Sequence, residues 1–371
     1  MEIRSMRPGS LNPTVLHRSC LRHCWRRPGN PEPVHLASSQ LPPWWGSFFI
    51  GESMMSSVIH GSKDIRSIIM NTSLTIKRIV IFLGFAFGIP WVAALAIALS
   101  GFWEANPLQA MMLANLVFIS TPVLANLATR LTTQEGWENF MLRPNFRRNW
   151  RFWLATWLFP FLATVTGGAL FYLLFPQSFD PTLGELRKLT ASVPALAEIN
   201  PWLLMLSITL QIVLIATPIN TVVSLGEELG WRAYLLPKLM AHFAGSEPAN
   251  ASAARKAALL VGLIHGIWHW PLFFLSTRLD SGSAFPFPLV YLVFTCSMSI
   301  LLSWATLRSA SVWPAAIGHG AINGTSALAG YLLKGPALPL LGPAPTGLIG
   351  GLAYLILGLG LFFSRKAFAQ K

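Results

Sequence analysis

Charged residues are scarce in this chain of 371 residues, and acidic residues are the scarcest of them. Only 11% of the residues are charged, whereas about a quarter are charged in a typical soluble domain. Hydrophobic residues make up 53% of the chain, and the mean hydropathy is +0.53. This composition excludes an ordinary soluble globular domain and predicts an integral membrane protein.

Cysteine is also rare, which excludes a second class of protein. The chain has three cysteines: Cys20 and Cys24 lie near the N-terminus, and Cys296 lies in an apolar run. Three cysteines placed in this way argue against both a disulfide framework and a zinc site made of cysteine ligands.

Long apolar runs, in contrast, are abundant. Crossing the hydrocarbon core of a bilayer takes roughly 20 apolar residues in a helix. Eight runs of about this length can be recognised, at residues 78–100, 107–128, 153–175, 202–225, 257–275, 286–307, 313–333 and 346–363. We therefore predict an all-α, polytopic membrane protein of about eight transmembrane helices with a polar site inside the bundle.

The net charge of +13 is distributed unevenly along the chain. Lysine and arginine cluster before the first run, in every second connection and in the C-terminal tail. The other connections hold only four cations, Arg187, Lys188, Arg278 and Lys334. Because cytoplasmic loops carry an excess of cations, we expect both termini in the cytoplasm and the protein in the cell inner membrane. The charge favours contact with anionic lipid, and no soluble basic module suggests a nucleic-acid partner.

Residues 1–72 differ from the rest of the chain and are predicted to be separate from the transmembrane domain at 73–371. This segment is basic, rich in proline and arginine, and lacks helical periodicity. It is interpreted as disordered or as a start-site extension, with Met70 as an alternative start. Residues 132–150 combine tryptophans with an arginine cluster, which indicates a segment at the membrane surface.

Two adjacent carboxylates form the first candidate for chemistry. Twelve of the 14 acidic residues lie in predicted tails or loops, and Glu227 and Glu228 end the fourth apolar run. An ionisable group at membrane depth is costly unless it is paired, and it therefore suggests function. Arg232 lies four residues after Glu228, on the same helical face, whereas Glu227 is rotated by about 100°. Glu228 is thus predicted to be paired with Arg232, and Glu227 to face a cavity.

Histidines in two later runs supply further candidates. His265 and His269 lie one helical turn apart, a spacing seen in zinc sites, but Gly266 replaces the glutamate of the classical metalloprotease helix. Any base must then come from another segment. Pro271 predicts a kink directly after the pair.

The seventh run carries His319 and Asn323, again four residues apart and among small residues that permit close helix packing. A neutral imidazole can bind zinc or hold a water molecule, and an amide can stabilise an oxyanion. A packing seam with one hydrogen-bonded histidine is the simpler alternative.

Together, the segments Glu-Glu-x-x-x-Arg at 227–232, Trp-His-x-Pro at 268–271 and His-x-x-x-Asn at 319–323 resemble the three motifs of the CAAX protease and bacteriocin-processing family, also called CPBP or Abi. The resemblance covers residues 203–333, which we identify as the catalytic core. It implies an intramembrane endopeptidase that depends on glutamate or on a metal, with eukaryotic relatives that remove the last three residues of prenylated CAAX proteins.

The resemblance also implies catalytic roles for six residues, Glu227, Glu228, Arg232, His269, His319 and Asn323. Glu227 is the implied base, Glu228 and Arg232 its supporting pair, and Asn323 the oxyanion partner. The two histidines are implied to hold water or a metal. The chain departs from the family at His265, where phenylalanine is usual, and this leaves room for an extra ligand or hydrogen-bond donor.

A divalent metal, with zinc as the expected ion, could use Glu227, His269 and His319 as ligands and a water molecule as the fourth. A glutamate bound to metal is less free to act as a base, so the metal-dependent and metal-free schemes compete. The expected partners are the lipid bilayer and a peptide or membrane-protein substrate, which need not be prenylated.

Other function classes fit less well. A serine rhomboid needs a histidine on a span after its Gly-x-Ser triplet, but the only such triplet within a span, at 324–326, has no histidine after it. An aspartyl protease needs an aspartate in a span, and no span contains one. A proton-coupled transporter could also use buried carboxylates and histidines, but it would usually show paired repeats. A non-catalytic bacteriocin-immunity or scaffold protein remains a further alternative.

Overall fold

The computed structural model describes residues 46–277 and 286–369, with side chains from residue 72 onward except that of Ala197. The chain divides into residues 1–62 and 63–371, and the second unit contains all the long apolar runs. The predictions for residues 1–72 concern residues that lie mostly outside the described part, so they stay predictions.

The described residues are mostly helical, and their only β-pairing consists of two isolated bridges. The helices in chain order are α1 (Gly46–Leu99), α2 (Phe102–Ala105), α3 (Pro107–Thr132), α4 (Phe146–Leu174), α5 (Gly184–Thr190), α6 (Pro194–Ala197), α7 (Pro201–Gln211), α8 (Thr217–Gly230), α9 (Leu236–Ala244), α10 (Ala251–Trp268), α11 (Trp270–Thr277), α12 (Pro286–Ser309), α13 (Trp313–Thr325) and α14 (Leu352–Phe363). The predicted all-α class is confirmed.

Six segments of the described chain are long and apolar enough to cross a bilayer. They are Thr72–Leu99, Pro107–Thr132, Phe146–Leu174, Pro201–Ala244, Ala251–Leu275 and Pro286–Ser309. These segments correspond to the first six predicted spans and make the chain an integral membrane protein.

The seventh and eighth predicted spans form helices shorter than the sequence suggested. Helix α13 has 13 residues and α14 has 12, against the roughly 20 that a lone crossing requires. Nearly all of α13 is buried among other helices, and backbone inside a bundle can end its helix at membrane depth because protein surrounds it. The apolar composition of residues 313–333 therefore reflects their burial by other helices of the bundle.

The fourth span is one rod in which two wide π-helical turns separate α7, α8 and α9. The turns are Ile212–Ala216 and Trp231–Leu235. Pro218 and Pro237 follow them, and proline lacks an N–H and crowds the carbonyl four residues before it. A widened turn accommodates both effects, and such turns often occur at functional sites.

Helix α8 packs closely against α13 because small residues line the contact. A Cβ atom on Gly320 would lie 2.6 Å from the backbone nitrogen of Thr221, so only glycine permits this approach. The contact brings the carboxylates of α8 next to the histidine of α13.

Candidate active site

Glu227 and Glu228 lie in the last turn of α8, and both are buried, with relative exposures of 4% and 0%. Arg232 Nη1 donates to Glu228 Oε1 at 2.8 Å, and the guanidinium is fully buried. The predicted pairing of Glu228 with Arg232 is confirmed. Arg232 belongs to the π-helical turn after α8.

The same carboxylate oxygen joins α8 to α13. His319 Nδ1 lies 2.8 Å from Glu228 Oε1. Because a carboxylate accepts hydrogen bonds, Nδ1 is the donor and carries the proton, which leaves a lone pair on Nε2. Glu228 therefore sets the tautomer and ring orientation of His319, as an outer carboxylate does for a metal-binding histidine.

Glu227 meets a histidine of α10. Its Oε2 lies 3.0 Å from His265 Nε2. Glu227, His265 and His319 each offer one ligand atom, and these atoms lie within 4.8 Å of one another. Carboxylate and imidazole groups from three segments that are distant in sequence thus meet at one buried point.

His269, the histidine to which the resemblance gives the ligand role, lies at the edge of this group. It is the residue directly after α10, and its half-buried ring is centred 4.9 Å from that of His265. Its Nδ1 donates to the backbone carbonyl of His265 at 3.0 Å, so Nε2 holds the lone pair. Tyr291 of α12 packs against the same ring. His265, one turn earlier, is the residue that contacts Glu227.

Asn323 lies one turn beyond His319 and is exposed at the surface of the protein. Its amide nitrogen lies 3.4 Å from Ser224 Oγ on α8. Ser224 is buried one turn before Glu228. The amide therefore lies where the buried site approaches an open surface.

Several polar atoms around the carboxylates have no hydrogen-bond partner within the described residues. They are Glu228 Oε2, Arg232 Nε, Arg232 Nη2, His265 Nδ1 and Trp231 Nε1. Nearly all buried polar groups in proteins are paired, so each exception calls for an explanation. Such a concentration of unused donors and acceptors in one place is typical of a functional site.

The donor set suits a divalent metal. One carboxylate and two imidazoles are the ligands of many catalytic zinc sites, and two ligands of a tetrahedral zinc lie about 3.3 Å apart. The 3.0 Å between Glu227 Oε2 and His265 Nε2 is close to that separation. The outer hydrogen bond expected of a ligand is present at His319, whereas His265 Nδ1 has none.

Two further residues, neither of which is a specified position of the motifs, support the site. Asn126 of α3 donates to the carbonyl of Leu229 at 2.8 Å and holds the backbone next to Glu228. Trp231 stacks on His265 with ring centroids 5.2 Å apart and planes at 29°. The amide of Asn126 in an apolar run was the only available sequence signal.

Residues 198–325 match the sequence family described as type II CAAX prenyl endopeptidase, Rce1-like. The match ends with the last residue of α13 and contains all three motif segments. It confirms the family resemblance and supports a protease role. A search of curated proteins found no match to the chain.

Proposed function

We propose that this chain is an intramembrane endopeptidase that hydrolyses a peptide bond in a membrane-associated substrate, of the CAAX type or a bacteriocin-like peptide. The observation that carries the proposal is the buried meeting of Glu227, His265 and His319 within 4.8 Å. This group lies inside a helical bundle whose sequence matches a family of endopeptidases.

Glu227 is the proposed base. Its Oε2 faces His265, and its Oε1 makes no hydrogen bond to the described residues. Oε1 can therefore take a proton from the attacking water and later pass it to the leaving amine. A general base of this kind contributes roughly 10²–10⁴-fold to a rate.

Glu228 and Arg232 are proposed to act through His319. Arg232 and His319 both donate to Glu228 Oε1, so the carboxylate is held on two sides. This arrangement points Nε2 of His319 away from Glu228 and toward the water that Glu227 activates.

His269 and Asn323 are proposed to act on the substrate side. The lone pair on His269 Nε2 can accept a hydrogen bond from water or from the substrate. The exposed amide of Asn323 can donate to the oxyanion that forms at the scissile carbonyl, and a preorganised donor of this kind is worth about 10²–10³ in rate.

We further propose that the site holds zinc through Glu227, His265 and His319. When bound, zinc supplies Lewis acidity toward a water molecule and a carbonyl oxygen. Ligation through Oε2 of Glu227 leaves Oε1 available, so one carboxylate can act as both metal ligand and general base. His269 in place of His265 is the alternative ligand set.

Both termini are proposed to lie in the cytoplasm, at the inner membrane. The cation-rich connections meet at one end of the bundle. Glu135, after α3, pairs with Arg78 of α1 and Lys238 of α9, and Val312 bonds to the backbone of Met141. This convergence supports the topology that the positive-inside rule predicts.

The test is terminal proteomics of membranes from cells that express the wild type, Glu227→Gln, His319→Ala or the control Glu247→Gln. Glu247 is exposed and lies outside the site. New C-termini should appear with the wild type and the control and vanish with the two site variants. Cleavage three residues from a C-terminus would indicate a CAAX-type substrate. Cleavage at an internal peptide bond would indicate a peptide that is processed in the bacteriocin-like manner.

Identical termini in all four samples would reject the protease assignment. A transporter would instead show proton-coupled flux that is lost in Glu227→Gln without any change in termini. Western blots of the membrane fraction would verify that all four proteins accumulate to the same level.

A further inference from the structure

A second polar feature lies away from the active site, at the end of the bundle that carries the cation-rich connections. It is a cleft of about 670 Å³ between the start of α4, the end of α12 and the C-terminal residues 367–369. Small-molecule sites commonly have volumes of about 300–1,000 Å³. The cleft is therefore large enough to hold a ligand.

The charge of the cleft is entirely positive. Arg148, Arg151 and Arg308 line it, and its lining contains no carboxylate. Within the described ranges, no ion pair joins these three arginines to an acidic residue. A guanidinium presents a planar set of donors that matches the oxygens of a phosphate.

The backbone around the cleft also favours an anion. Asn149 donates to the carbonyl of Ser309 at 2.8 Å, and Asn145 donates to Ser309 and Ala310 at 3.3 and 3.2 Å. The carbonyls of Ser309 and Ala310, which would repel an anion, are thereby occupied. The 29-residue helix α4 starts at the same place without a side-chain cap, so its first N–H groups are available.

The remaining walls are largely apolar, and the cleft lies at the start of one segment that is long enough to cross a bilayer and at the end of another, Phe146–Leu174 and Pro286–Ser309. Phe152, Leu307 and Phe368 line the cleft, and Phe368 is part of the hydrophobic core. Trp153 and Trp313 stack beside it with ring centroids 6.2 Å apart, a placement typical of the lipid headgroup region. A ligand with both a phosphate and an acyl chain fits this combination better than a free anion.

We propose that this cleft binds the phosphate of an anionic membrane phospholipid, with the acyl chains running along the apolar wall. The proposal is independent of proteolysis at Glu227. Such a site fixes the depth and tilt of α4 and α12, and α4 packs directly against α13 of the active site.

The experiment measures which lipids remain bound to the purified protein. Full-length protein is reconstituted with equal amounts of phosphatidylglycerol and phosphatidylcholine and analysed by native mass spectrometry. The test variant is Arg148→Gln with Arg151→Gln. The matched control is Arg143→Gln with Arg147→Gln, which removes the same charge from exposed arginines of the same segment outside the cleft.

We expect the wild type and the control to retain phosphatidylglycerol preferentially, and the test variant to lose this preference by on the order of tenfold. Arg308→Gln alone should produce a smaller loss in the same direction. Arg148→Lys with Arg151→Lys keeps the charge but loses the planar donors, so it should lose less of the preference than the test variant, and the preference that it retains would show that the segment folds.

Three results would overturn the proposal. Equal loss in the test and control variants would show that only diffuse surface charge matters. A wild type without preference would show that no anionic lipid binds. Displacement of the lipid by submillimolar inorganic phosphate would identify a site for a soluble anion in place of a lipid.

Discussion

The part of the chain that the structure describes contains two glutamate–arginine ion pairs in very different surroundings. At the centre, Glu228 and Arg232 are 2.8 Å apart, and both side chains have 0% exposure. At the end of the bundle, Glu135 and Arg78 are 3.2 Å apart, with side-chain exposures of 14% and 18%. The same chemical pair is therefore placed once away from water and once at its boundary.

The partners of the two carboxylates differ even more than their exposure. Both oxygens of Glu135 are bonded, one to Lys238 and the other to Tyr234 and Arg78. At the centre, Oε2 of Glu228 and two nitrogens of Arg232 have no partner within the described residues. The boundary cluster thus fastens three segments together, whereas the central pair keeps polar capacity unused, as expected for a site that acts on a substrate.

The largest effect that separates the two pairs should be on stability. Arg232→Gln leaves a buried carboxylate without its cation, and we expect a loss of about 3–5 kcal/mol in the free energy of unfolding. Arg78→Gln at the boundary should cost no more than about 1 kcal/mol, because water and Lys238 compensate. Equilibrium unfolding in mixed micelles would measure both. Equal losses would show that burial does not distinguish the pairs.

The central pair was predictable from sequence because it is local. The i, i+4 spacing of Glu228 and Arg232 fixes their contact on any helix, and the widened turn at Trp231–Leu235 does not disturb it. The approach of His319 was predictable only through the family resemblance. That Glu228, the supporting carboxylate, holds His319 through Nδ1 depends on how α13 sits against α8, which no sequence spacing encodes.

The choice between two histidines was beyond the sequence for a similar reason. His265 and His269 share a helical face, so spacing alone cannot rank them. In the structure α10 ends at Trp268, and the turn toward Pro271 places His269 at the edge of the site, while His265 contacts Glu227.

The lengths of the last two helices, α13 and α14, were not predictable from their apolar runs. An apolar run indicates that a segment is buried, but it does not show whether protein or lipid buries it.

A metal-binding experiment would sharpen the description of the central site. His265→Phe places the residue usual in the family at this position, and it should weaken metal binding by at least about tenfold through loss of a ligand. His269→Phe should change the affinity far less while still lowering turnover. Cobalt substitution, followed by visible absorption and elemental analysis, reports the ligand set without depending on activity. A cobalt spectrum lost only in His269→Phe would assign the ligand role to His269.

The smallest expected effect concerns the boundary cluster and its response to acid. Burial acts to raise the pKa of Glu135, but the hydrogen bond and charge of Lys238, the hydroxyl of Tyr234 and the charge of Arg78 outweigh it, so the pKa lies below its ordinary value of 4.5.

A carboxylate whose pKa is lower in the folded state stabilises the fold above its unfolded pKa and loses that contribution as the pH falls through the folded value. Below pH 4.5 the free energy of unfolding of the wild type should therefore fall by up to about 1 kcal/mol more than that of Glu135→Gln. Unfolding of both proteins between about pH 6 and pH 3 gives the comparison, because every other acidic group is common to the two. If the free energies of unfolding of the two proteins changed with pH in parallel, the cations around Glu135 would contribute no pairing energy. Packing alone would then hold the boundary cluster of Glu135, Arg78, Tyr234 and Lys238 in place.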